Sequence, residues 1–536
     1  MYLPSTPANL SSKVQNAISL RLNTKNVTLI GDELLALRLQ AYTTLIASLG
    51  ACAAFWDGLN QCKVALKLYP GDARIVALKC QLEDGFRVAT ESLPKGISAE
   101  GRACSLRLGK IYSRVYPWLD SSLYQRTPKL VRDVNAEMHN SSNIEVRRTF
   151  FGPTAAEDAK RVVGENEDVG HLGIFAKRDI QQGELLLVDK SITGTSKVNP
   201  STGKCCDACH AHLYPPYFHS NQLVRPACCK TSGITYCGQL CHDTAIEAYH
   251  TVLCGEDFNW LWKDVNKDRK EDSADKKVWR RWRAVAFLRI IAIIISTNSK
   301  LLREGKELIH PLAHSLVARM TGTYTPRTLH PKYLHDWQYS EEVTIPTKIL
   351  QQLGIDIFTS SLYTQEVIQT IYYRIDNNAN DLSTYLNQAD PSEEIHIFGI
   401  NTTYLFFNHS CTPNVNWHGS PEVGTVDIQF LRGIDGEMLR PGESAVWCSA
   451  ARDIAMGEEC FISYIGDPLG EKEGSGDERE DRAVKRVMLG KWCEGGCGCR
   501  ICEAENESQM GEAPLAKKSV EVVVSDDAVV EEAVHG

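Results

Sequence analysis

Residues 408–414 of this chain read N-H-S-C-T-P-N, and residues 457–466 read G-E-E-C-F-I-S-Y-I-G. Upstream, residues 173–184 read G-I-F-A-K-R-D-I-Q-Q-G-E, and downstream, residues 497–502 read C-G-C-R-I-C. The last stretch has the cysteine spacing of a metal site. Taken alone, Asn408 and His409 would more often be turn residues and Tyr464 a strand aromatic, so the four stretches are considered together.

In this order, the four stretches resemble those of the SET-domain protein lysine methyltransferases. The likeness is nearest to the SET-and-MYND branch and to fungal SET proteins with a helical, TPR-like leader, and it covers roughly residues 141–505. It implies an α+β fold. The expected parts are a β-rich SET body with a pseudoknot, a MYND-like zinc-finger insert, a helical insert and an α-helical, TPR-like N-terminal region.

The composition is that of an ordinary globular chain. Its 536 residues are enough for two or three domains, and 43% of them are hydrophobic and 23% charged. A formal net charge of −9 argues against direct binding to nucleic acid, which needs a basic surface. The same charge is compatible with a cationic partner such as a lysine-rich tail.

No segment of the sequence predicts export or membrane insertion. Residues 1–10 lack the basic start and apolar core of a secretory signal. The most apolar run, residues 284–295, is interrupted by Arg289 and is too short to span a bilayer, so we interpret it as a buried helix. We expect a monomer that is cytoplasmic, nuclear or both.

Residues 1–30 carry little pattern and are expected to be a partly disordered leader, whereas residues 31–140 are assigned to a helical, TPR-like region. From residue 32 to about 114, apolar residues recur at helical spacing. Phe55 and Cys62 resemble positions in the second helix of a TPR unit. TPR arrays need about three repeats and only one is clear here, so a helical bundle packed on the body is the alternative.

Residues 141–470 are assigned to the SET body, which a MYND-like finger at 205–254 and a helical insert at 256–400 interrupt. Apolar residues alternate in its first strand, so that Ile144, Val146 and Phe150 would share one face. The other predicted strands are 172–176, 185–188, 426–431, 443–450 and 460–465, and the helices predicted in the insert are 278–295, 349–353 and 364–375.

The resemblance assigns the cofactor S-adenosylmethionine to two of the quoted stretches. The residues that would contact it are Leu172, Gly173, Ile174, Phe175, Asn408 and His409. Gly173 would let the main chain and the cofactor come close, and His409 would contribute its main chain. His171 stands where the family has a glycine, so a side chain must find room there.

Tyr464 would be the catalytic residue under the same resemblance. Lysine methylation moves a methyl group from a sulfonium to a neutral amine, so both reactants must be held in line. A phenol suits this channel because its hydroxyl can orient the amine and its ring attracts a cationic centre. The chain would therefore methylate lysine in a protein or peptide, and a histone tail is one candidate.

Cysteine and histidine pairs at zinc-ligand spacing lie in the finger. By resemblance, one zinc would be bound by Cys206, Cys209, Cys237 and Cys241, and a second by Cys228, Cys229, His250 and Cys254. Cys228 and Cys229 are adjacent in sequence, and adjacent side chains converge on one ion poorly. The second site is therefore either incomplete or completed by Cys205.

Residues 483–503 are assigned to a post-SET zinc segment and residues 504–536 to a disordered, acidic tail. The zinc ligands implied by the resemblance are Cys411, Cys497, Cys499 and Cys502, with Cys493 as the alternative fourth ligand. Four thiolates leave no position for water, so this zinc would be structural. The whole chain would hold two or three such ions.

Two other functions are compatible with parts of the sequence. The first is a zinc-finger and TPR-like scaffold without catalysis, because both modules bind proteins and His171 departs from the cofactor motif. The second is a zinc hydrolase. It is disfavoured because the cysteine groups have no open position and no H-E-x-x-H motif is present.

Overall fold

The structure is a computed structural model and describes residues 27–93, 102–103, 105–111, 116, 118–138, 142–150, 155–213, 222–229, 233–262, 281–320, 335–385, 394–419, 444–466, 489 and 497–511. They form two compact units. The larger unit contains the described residues up to Asn408 and those from Pro413 to Ile462. The smaller unit contains His409–Thr412 and the described residues from Ser463 onward, so the motif at 408–414 is divided between the units.

Among the described residues, helices predominate in the N-terminal region and recur through the insert. Their bounds are Val27–Ala51 (α1), Phe55–Leu68 (α2), Ala73–Glu91 (α3), Pro128–Glu137 (α4), Ala155–Lys160 (α5), Gln239–Ala245 (α6), Thr251–Leu253 (α7), Trp282–Arg303 (α8), Ser315–Ala318 (α9), Ile345–Gln352 (α10), Gln365–Asn378 (α11) and Arg500–Gly511 (α12). A π-helical turn, Ile246–His250, joins α6 to α7 in the finger.

The described strands form four sheets. Their bounds are Gly109–Ile111 (β1), Ile144–Arg148 (β2), Leu172–Ala176 (β3), Leu185–Lys190 (β4), Thr195–Ser196 (β5), His335–Trp337 (β6), Asn380–Tyr385 (β7), Glu394–Gly399 (β8), Asn408–His409 (β9), Val415–His418 (β10), Ala445–Ala450 (β11) and Glu459–Ile462 (β12). The sheet orders are β1-β6, β2-β3-β12-β9, β10-β11-β4 and β5-β8-β7. Strand β3 runs antiparallel to both β2 and β12, with Ile174 opposite Val146 and Cys460.

Helices α1, α2 and α3 pack on one another as a small bundle. Ile46, Cys62 and Leu82 are buried at its centre. Helix α3 begins where the Asp72 carboxylate accepts hydrogen bonds from two N–H groups of its first turn. Gly58 allows the helices to approach, because a Cβ there would lie 2.9 Å from Leu82 Cδ1. The TPR character of this bundle stays a prediction.

Two N-terminal boundaries differ from the prediction. Residues 27–30, assigned to the leader, belong to α1, and residues 1–26 lie outside the described residues. Within the stretch of predicted helix, β1 is a strand. It pairs with β6, and the Lys110 N–H donates to the Cys52 carbonyl. Pairing with a distant strand here overrides the local helical spacing.

The prediction of an alternating first strand is confirmed for Ile144 and Val146, which are fully buried. It is wrong for Phe150, because β2 ends at Arg148 and the Phe150 ring is 37% exposed beneath the Arg148 guanidinium. The strand predicted at 426–431 lies outside the described residues. The strand predicted at 443–450 corresponds to β11.

Helix α8 lies at the centre of the main core. Its residues from Ala284 to Ile294 are buried on every side, and α8 packs on α10 and α11, which correspond to the other predicted helices of the insert. The end of the insert is not helical, since β7 and β8 occupy it. Strand β8 pairs with β7 and with β5 of the SET body, which explains the difference.

By length and composition alone, two described helices could cross a membrane, Gly31–Ala51 and Trp282–Arg303. The most apolar window of the second is 61% buried inside the protein, as in a core helix, whereas that of the first is 11% buried. Core helices of soluble proteins and N-terminal signal sequences pass the same test. The finding is therefore weak, and the absence of membrane association stays a prediction.

At the C-terminus, helix α12 extends to Gly511, inside the tail predicted to be disordered. This helix crosses the boundary predicted at residue 504. Cys502 in the first turn of α12 belongs to a buried cysteine cluster, which gives this segment a fixed starting point. Residues 512–536 lie outside the described residues.

Candidate active site and metal centres

The side chain of Asn408 joins three segments of the larger unit. Its Nδ2 donates to the Leu172 carbonyl at 2.9 Å and to Glu459 Oε1 at 2.8 Å. The other Glu459 oxygen accepts from Thr149 Oγ1 at 2.6 Å. Burial raises the pKa of Glu459, although the hydrogen bonds from Thr149 and Asn408 oppose the shift. The predicted cofactor-binding stretch at 172–175 and Asn408 are therefore adjacent.

Gly173 is required by packing in this arrangement. A Cβ there would overlap Glu459 Oε1 and lie 2.9 Å from Asn408 Nδ2. The glycine thus gives room to the Asn408–Glu459 pair, which is a different reason from the close cofactor approach inferred from the sequence. His171 is exposed, and its carbonyl accepts from the Thr149 N–H at 3.0 Å. Its side chain therefore takes no space in the core.

Two further buried side chains, those of Asn414 and Asp189, hydrogen-bond to the main chain of distant segments in the larger unit. Asn414 Oδ1 accepts from the Phe461 N–H at 2.6 Å, and its Nδ2 donates to the Glu459 carbonyl at 2.8 Å. Asp189 Oδ2 accepts from two main-chain N–H groups, the closer being that of Thr403 at 2.6 Å. Burial raises the pKa of Asp189 to about 6, against the lowering effect of those N–H groups.

In the smaller unit, the imidazole of His409 contacts the predicted catalytic residue. Its Nδ1 accepts from the Tyr464 N–H at 3.0 Å, and the two ring centroids are 5.4 Å apart. On the other side, His409 Nε2 lies 3.4 Å from Cys411 Sγ. His409, a predicted cofactor contact, thus lies between the predicted catalytic residue Tyr464 and the predicted zinc ligand Cys411.

Cys411 and three cysteines of the C-terminal segment bring their sulfurs together, and we call them the C-terminal group. Its members are Cys411, Cys497, Cys499 and Cys502, all within 4.8 Å of one another. Cys411 Sγ is 3.7 Å from that of Cys502 and 3.9 Å from that of Cys497. A tetrahedron with Zn–S bonds near 2.3 Å has edges of about 3.8 Å, so these donors fit zinc. Cys493 lies outside the described residues.

Two more groups lie in the finger of the larger unit. The first finger group is Cys206, Cys209, Cys237 and Cys241, and the second is Cys228, His250 and Cys254. The sulfurs of Cys209 and Cys237 are 3.7 Å apart, which again suits a zinc tetrahedron. The Cys229 side chain lies outside the described residues. Cys205 is buried and belongs to neither group, so the alternative in which it completes the second site is not supported.

A buried ion pair lies directly behind the first finger group. Asp207, which follows the predicted zinc ligand Cys206, accepts from Arg289 of α8 at 3.0 and 3.2 Å. The Arg289 guanidinium also lies 3.7 Å from the ring centroid of Tyr249. Burial by itself would raise the pKa of Asp207, but the Arg289 charge and hydrogen bonds hold it below its ordinary value. This pair fastens the finger to the core helix.

The same network reaches the second finger group. The Tyr236 hydroxyl donates to Asp207 Oδ2 at 3.4 Å and lies 3.0 Å from His250 Nδ1. Because the phenol has one hydrogen, His250 Nδ1–H is the donor in the second contact. His250 Nε2, 3.5 Å from Cys228 Sγ, then carries the lone pair that a metal needs.

The sequence predicted no supporting role for Asp189, Asp207, Arg289 or Glu459. Three of them carried a signal, since Asp207 lies inside a C-x-x-C, Arg289 is a charge in an apolar run and Glu459 belongs to the G-E-E stretch. Asp189 has no comparable signal in its strand. Each acts through a partner distant in sequence, which spacing cannot identify.

A family model for the SET domain matches residues 171–465, more than half of the chain. The match begins beside β3, encloses the finger, the insert and the divided motif, and ends directly after Tyr464. No curated protein matches the chain. The chain therefore belongs to the SET domain family, whose members are generally protein-lysine methyltransferases.

Proposed function

We propose that this chain is a protein-lysine N-methyltransferase that takes its methyl group from S-adenosylmethionine. Family membership supplies the reaction class. The observation that best supports the assignment of residues is the hydrogen bond from Asn408 to the Leu172 carbonyl. It sets the two predicted cofactor-binding stretches of the larger unit side by side.

S-adenosylmethionine, when bound, supplies a methyl group on a positively charged sulfur. The residues proposed to hold it are Leu172, Gly173, Ile174, Phe175, Asn408 and His409. Both hydrogens of Asn408 Nδ2 are bonded within the protein, so its Oδ1 is the atom that would accept from the cofactor's ammonium group. Leu172 and Gly173 would contribute main-chain atoms.

Tyr464 is proposed to orient the lysine amine. Its main chain is fixed by His409 Nδ1, so its phenol can be aimed without a long catalytic loop. A free lysine has a pKa of about 10.4, and apolar surroundings with a nearby positive charge lower it, which delivers the neutral amine. Holding both reactants in line then removes about 7–11 kcal/mol of barrier without a covalent nucleophile.

Zinc is proposed as a structural ion in two or three places. The C-terminal group and the first finger group each offer four sulfurs and leave no open position. The second finger group offers three described ligands. The finger and the helical bundle support a place near the SET-and-MYND branch and the fungal TPR/SET proteins. We propose a monomer, cytoplasmic or nuclear, that acts on a lysine-bearing protein, with histone tails the first to test.

The experiment is a methyl-transfer assay with radiolabelled S-adenosylmethionine on a cell extract and on histones. Wild-type protein should label at least one band, and Tyr464→Phe should lower the rate by about 100-fold with unchanged zinc content, since misplacing a reactant can cost about that much. Tyr69→Phe, which removes a hydroxyl bonded to the Leu35 carbonyl in the N-terminal bundle, is the matched control. Equal turnover in Tyr464→Phe and wild type would remove Tyr464 from its role.

A non-catalytic scaffold remains the second candidate, because the zinc groups and the N-terminal bundle would serve protein binding without catalysis. Calorimetric titration with S-adenosylmethionine separates the two. Micromolar binding supports the methyltransferase, and no heat of binding by a protein with full zinc content supports the scaffold.

A further inference from the structure

The imidazole of His409 bonds to two parts of the smaller unit that have different proposed roles. Its Nδ1 accepts from the Tyr464 N–H at 3.0 Å, and its Nε2 lies 3.4 Å from Cys411 Sγ. The residue is 4% exposed, so water does not compete for either nitrogen. One ring therefore bridges the predicted catalytic residue and a predicted zinc ligand.

These contacts determine which nitrogen carries the hydrogen. A ring nitrogen that accepts from a main-chain N–H has none of its own, so the neutral imidazole carries its hydrogen on Nε2. Nε2–H is then the donor to the sulfur of Cys411. Four thiolates on one Zn²⁺ leave two negative charges, and N–H donors to such thiolates stabilise the site and orient its ligands.

We propose that His409 is a positioning residue through which the C-terminal zinc site holds the main chain of Tyr464 in place. The inference rests on the function proposed for Tyr464 and adds what fixes that residue. With zinc bound by Cys411, Cys497, Cys499 and Cys502, the position of the Cys411 sulfur would be fixed, and the His409 ring would pass this constraint from Nε2 to Nδ1 and the Tyr464 N–H. Tyr464 thus depends on a metal that it does not bind.

Three substitutions separate the two hydrogen bonds of the ring. His409→Phe keeps a buried ring of similar size and removes both bonds. His409→Asn keeps an acceptor near the position of Nδ1 and removes the donor to the Cys411 sulfur. His409→Gln keeps a donor near the position of Nε2 and removes the acceptor for Tyr464.

Two readouts that need no enzyme activity follow these bonds in the full-length zinc-loaded protein. Hydrogen exchange at the Tyr464 amide, resolved by mass spectrometry, should accelerate about 10-fold or more in the Phe and Gln variants, because the amide loses its acceptor. Zinc transfer to a chromogenic chelator should accelerate about 10-fold in the Phe and Asn variants, the scale on which outer-shell partners act. The C-terminal zinc is identified as the release phase that Cys499→Ser lacks.

The coupling itself is tested by a double-mutant cycle of His409→Phe and Cys499→Ser. Each change alone should accelerate exchange at the Tyr464 amide, and the double variant should exchange no faster than the faster single variant. Independent, multiplicative effects would overturn the proposal, and so would wild-type exchange and zinc release in His409→Phe. His314→Phe, which removes a buried imidazole that caps α9 in the larger unit, is the matched control and should change neither readout.

Enzyme kinetics then test whether the His409 coupling matters for catalysis, although the coupling itself is tested without them. If wild type methylates lysine, His409→Phe should lower kcat by about 10–100-fold more than it raises KM for S-adenosylmethionine, since the main chain of residue 409 is retained. If wild type shows no methyl transfer, the proposed function fails while the exchange and zinc-release data still decide the coupling.

Discussion

The first finger group and the C-terminal group each bring four cysteine sulfurs together, but the two groups have different surroundings. Behind the finger group lie the buried Asp207–Arg289 pair and a core that includes Phe287. Around the C-terminal group, the described residues provide a small cluster in which Leu489 and Ile501 lie beside the cysteines. The first finger group is thus part of a large hydrophobic core, whereas the C-terminal group itself makes up most of the small cluster around it.

This difference predicts what the proposed zinc ions would contribute to each unit. A segment with little apolar area to bury cannot offset the entropy of ordering its chain, and metal binding then becomes its folding free energy. The larger unit buries a whole helix, α8, and fastens the finger to it through Arg289. We therefore expect the smaller unit to depend on zinc for its order and the larger unit to depend on it mainly within the finger.

The largest expected effect is that of zinc loss on the smaller unit. In Cys499→Ser, amide protection in α12 should fall by at least about 100-fold, because structural zinc supplies the free energy of folding there. In Cys209→Ser, protection in α8 should fall far less, since most of the core around that helix needs no metal. Hydrogen exchange with mass spectrometry measures both. An α12 that stays protected in Cys499→Ser would contradict the comparison.

Next in size is the buried ion pair of the larger unit. Arg289→Met leaves the Asp207 carboxylate buried without its partner and should lower the free energy of unfolding by about 3–5 kcal/mol. The double variant Arg289→Met/Asp207→Asn should recover much of this loss, because no charge is then stranded. Urea unfolding followed by tryptophan fluorescence gives the values.

The control for that experiment lies on the same helix. Lys300 forms a solvent-exposed pair with Glu247, and Lys300→Met should change the free energy of unfolding by less than about 1 kcal/mol. Similar losses in Lys300→Met and Arg289→Met would mean that the finger is not specially fastened through Asp207.

A smaller effect depends on pH. Burial raises the pKa of Asp189 to about 6 from its ordinary value of 3.8, so the folded chain binds this proton more tightly than the unfolded chain. Its contribution to stability is complete below about pH 4 and is lost as pH rises to about 6, amounting to at most about 3 kcal/mol. Asp189→Asn removes this slope.

The measurement is the free energy of unfolding of wild type and Asp189→Asn between pH 4 and 7, followed by a probe in the larger unit. The asparagine variant should gain on wild type as pH rises and then run parallel above about pH 6.5. Because acid protonates zinc-binding thiolates, the difference between the two proteins is the relevant quantity. Parallel curves over the whole range would show that the Asp189 carboxyl is not buried as described.

The smallest expected effect is that of one added methyl group in the sheet of the larger unit. Gly173→Ala forces a Cβ against the Glu459 carboxylate and Asn408 Nδ2, and overpacking of this kind costs about 1–3 kcal/mol. Thermal unfolding checks it. Gly31→Ala in α1 has open space and should be neutral or stabilising by up to about 1 kcal/mol. Equal effects at both glycines would argue against the close Asn408–Glu459 packing.

Local spacing predicted much of what the structure places near the site. The C-x-x-C and C-x-C-x-x-C patterns identify the cysteines that converge, and apolar alternation finds β2. The insert was predicted to be helical to residue 400, but β7 and β8 occupy its end, because their pairing with each other and with β5 is a tertiary effect.

Supporting contacts were beyond prediction for a physical reason. Asp207 and Arg289 are 82 residues apart, and each taken alone would be assigned to the surface, since charged side chains are buried only when paired. Likewise, Gly173 was assigned to cofactor contact, whereas its absent Cβ makes room for Glu459. A sequence read along one segment shows candidate ligands but not what surrounds them.

Asp207 lies between the predicted zinc ligands Cys206 and Cys209, and this position has a consequence for moving the finger into another protein. If a finger from another protein, chosen for its cysteine spacing alone, replaced this one, Asp207 would be lost and Arg289 would be buried without its partner. If this finger were moved into another protein, Asp207 would be the residue without a partner. The unit that can be exchanged is therefore the finger together with Arg289 of helix α8. Because Arg289 is distant in sequence, the finger's own residues do not reveal this requirement.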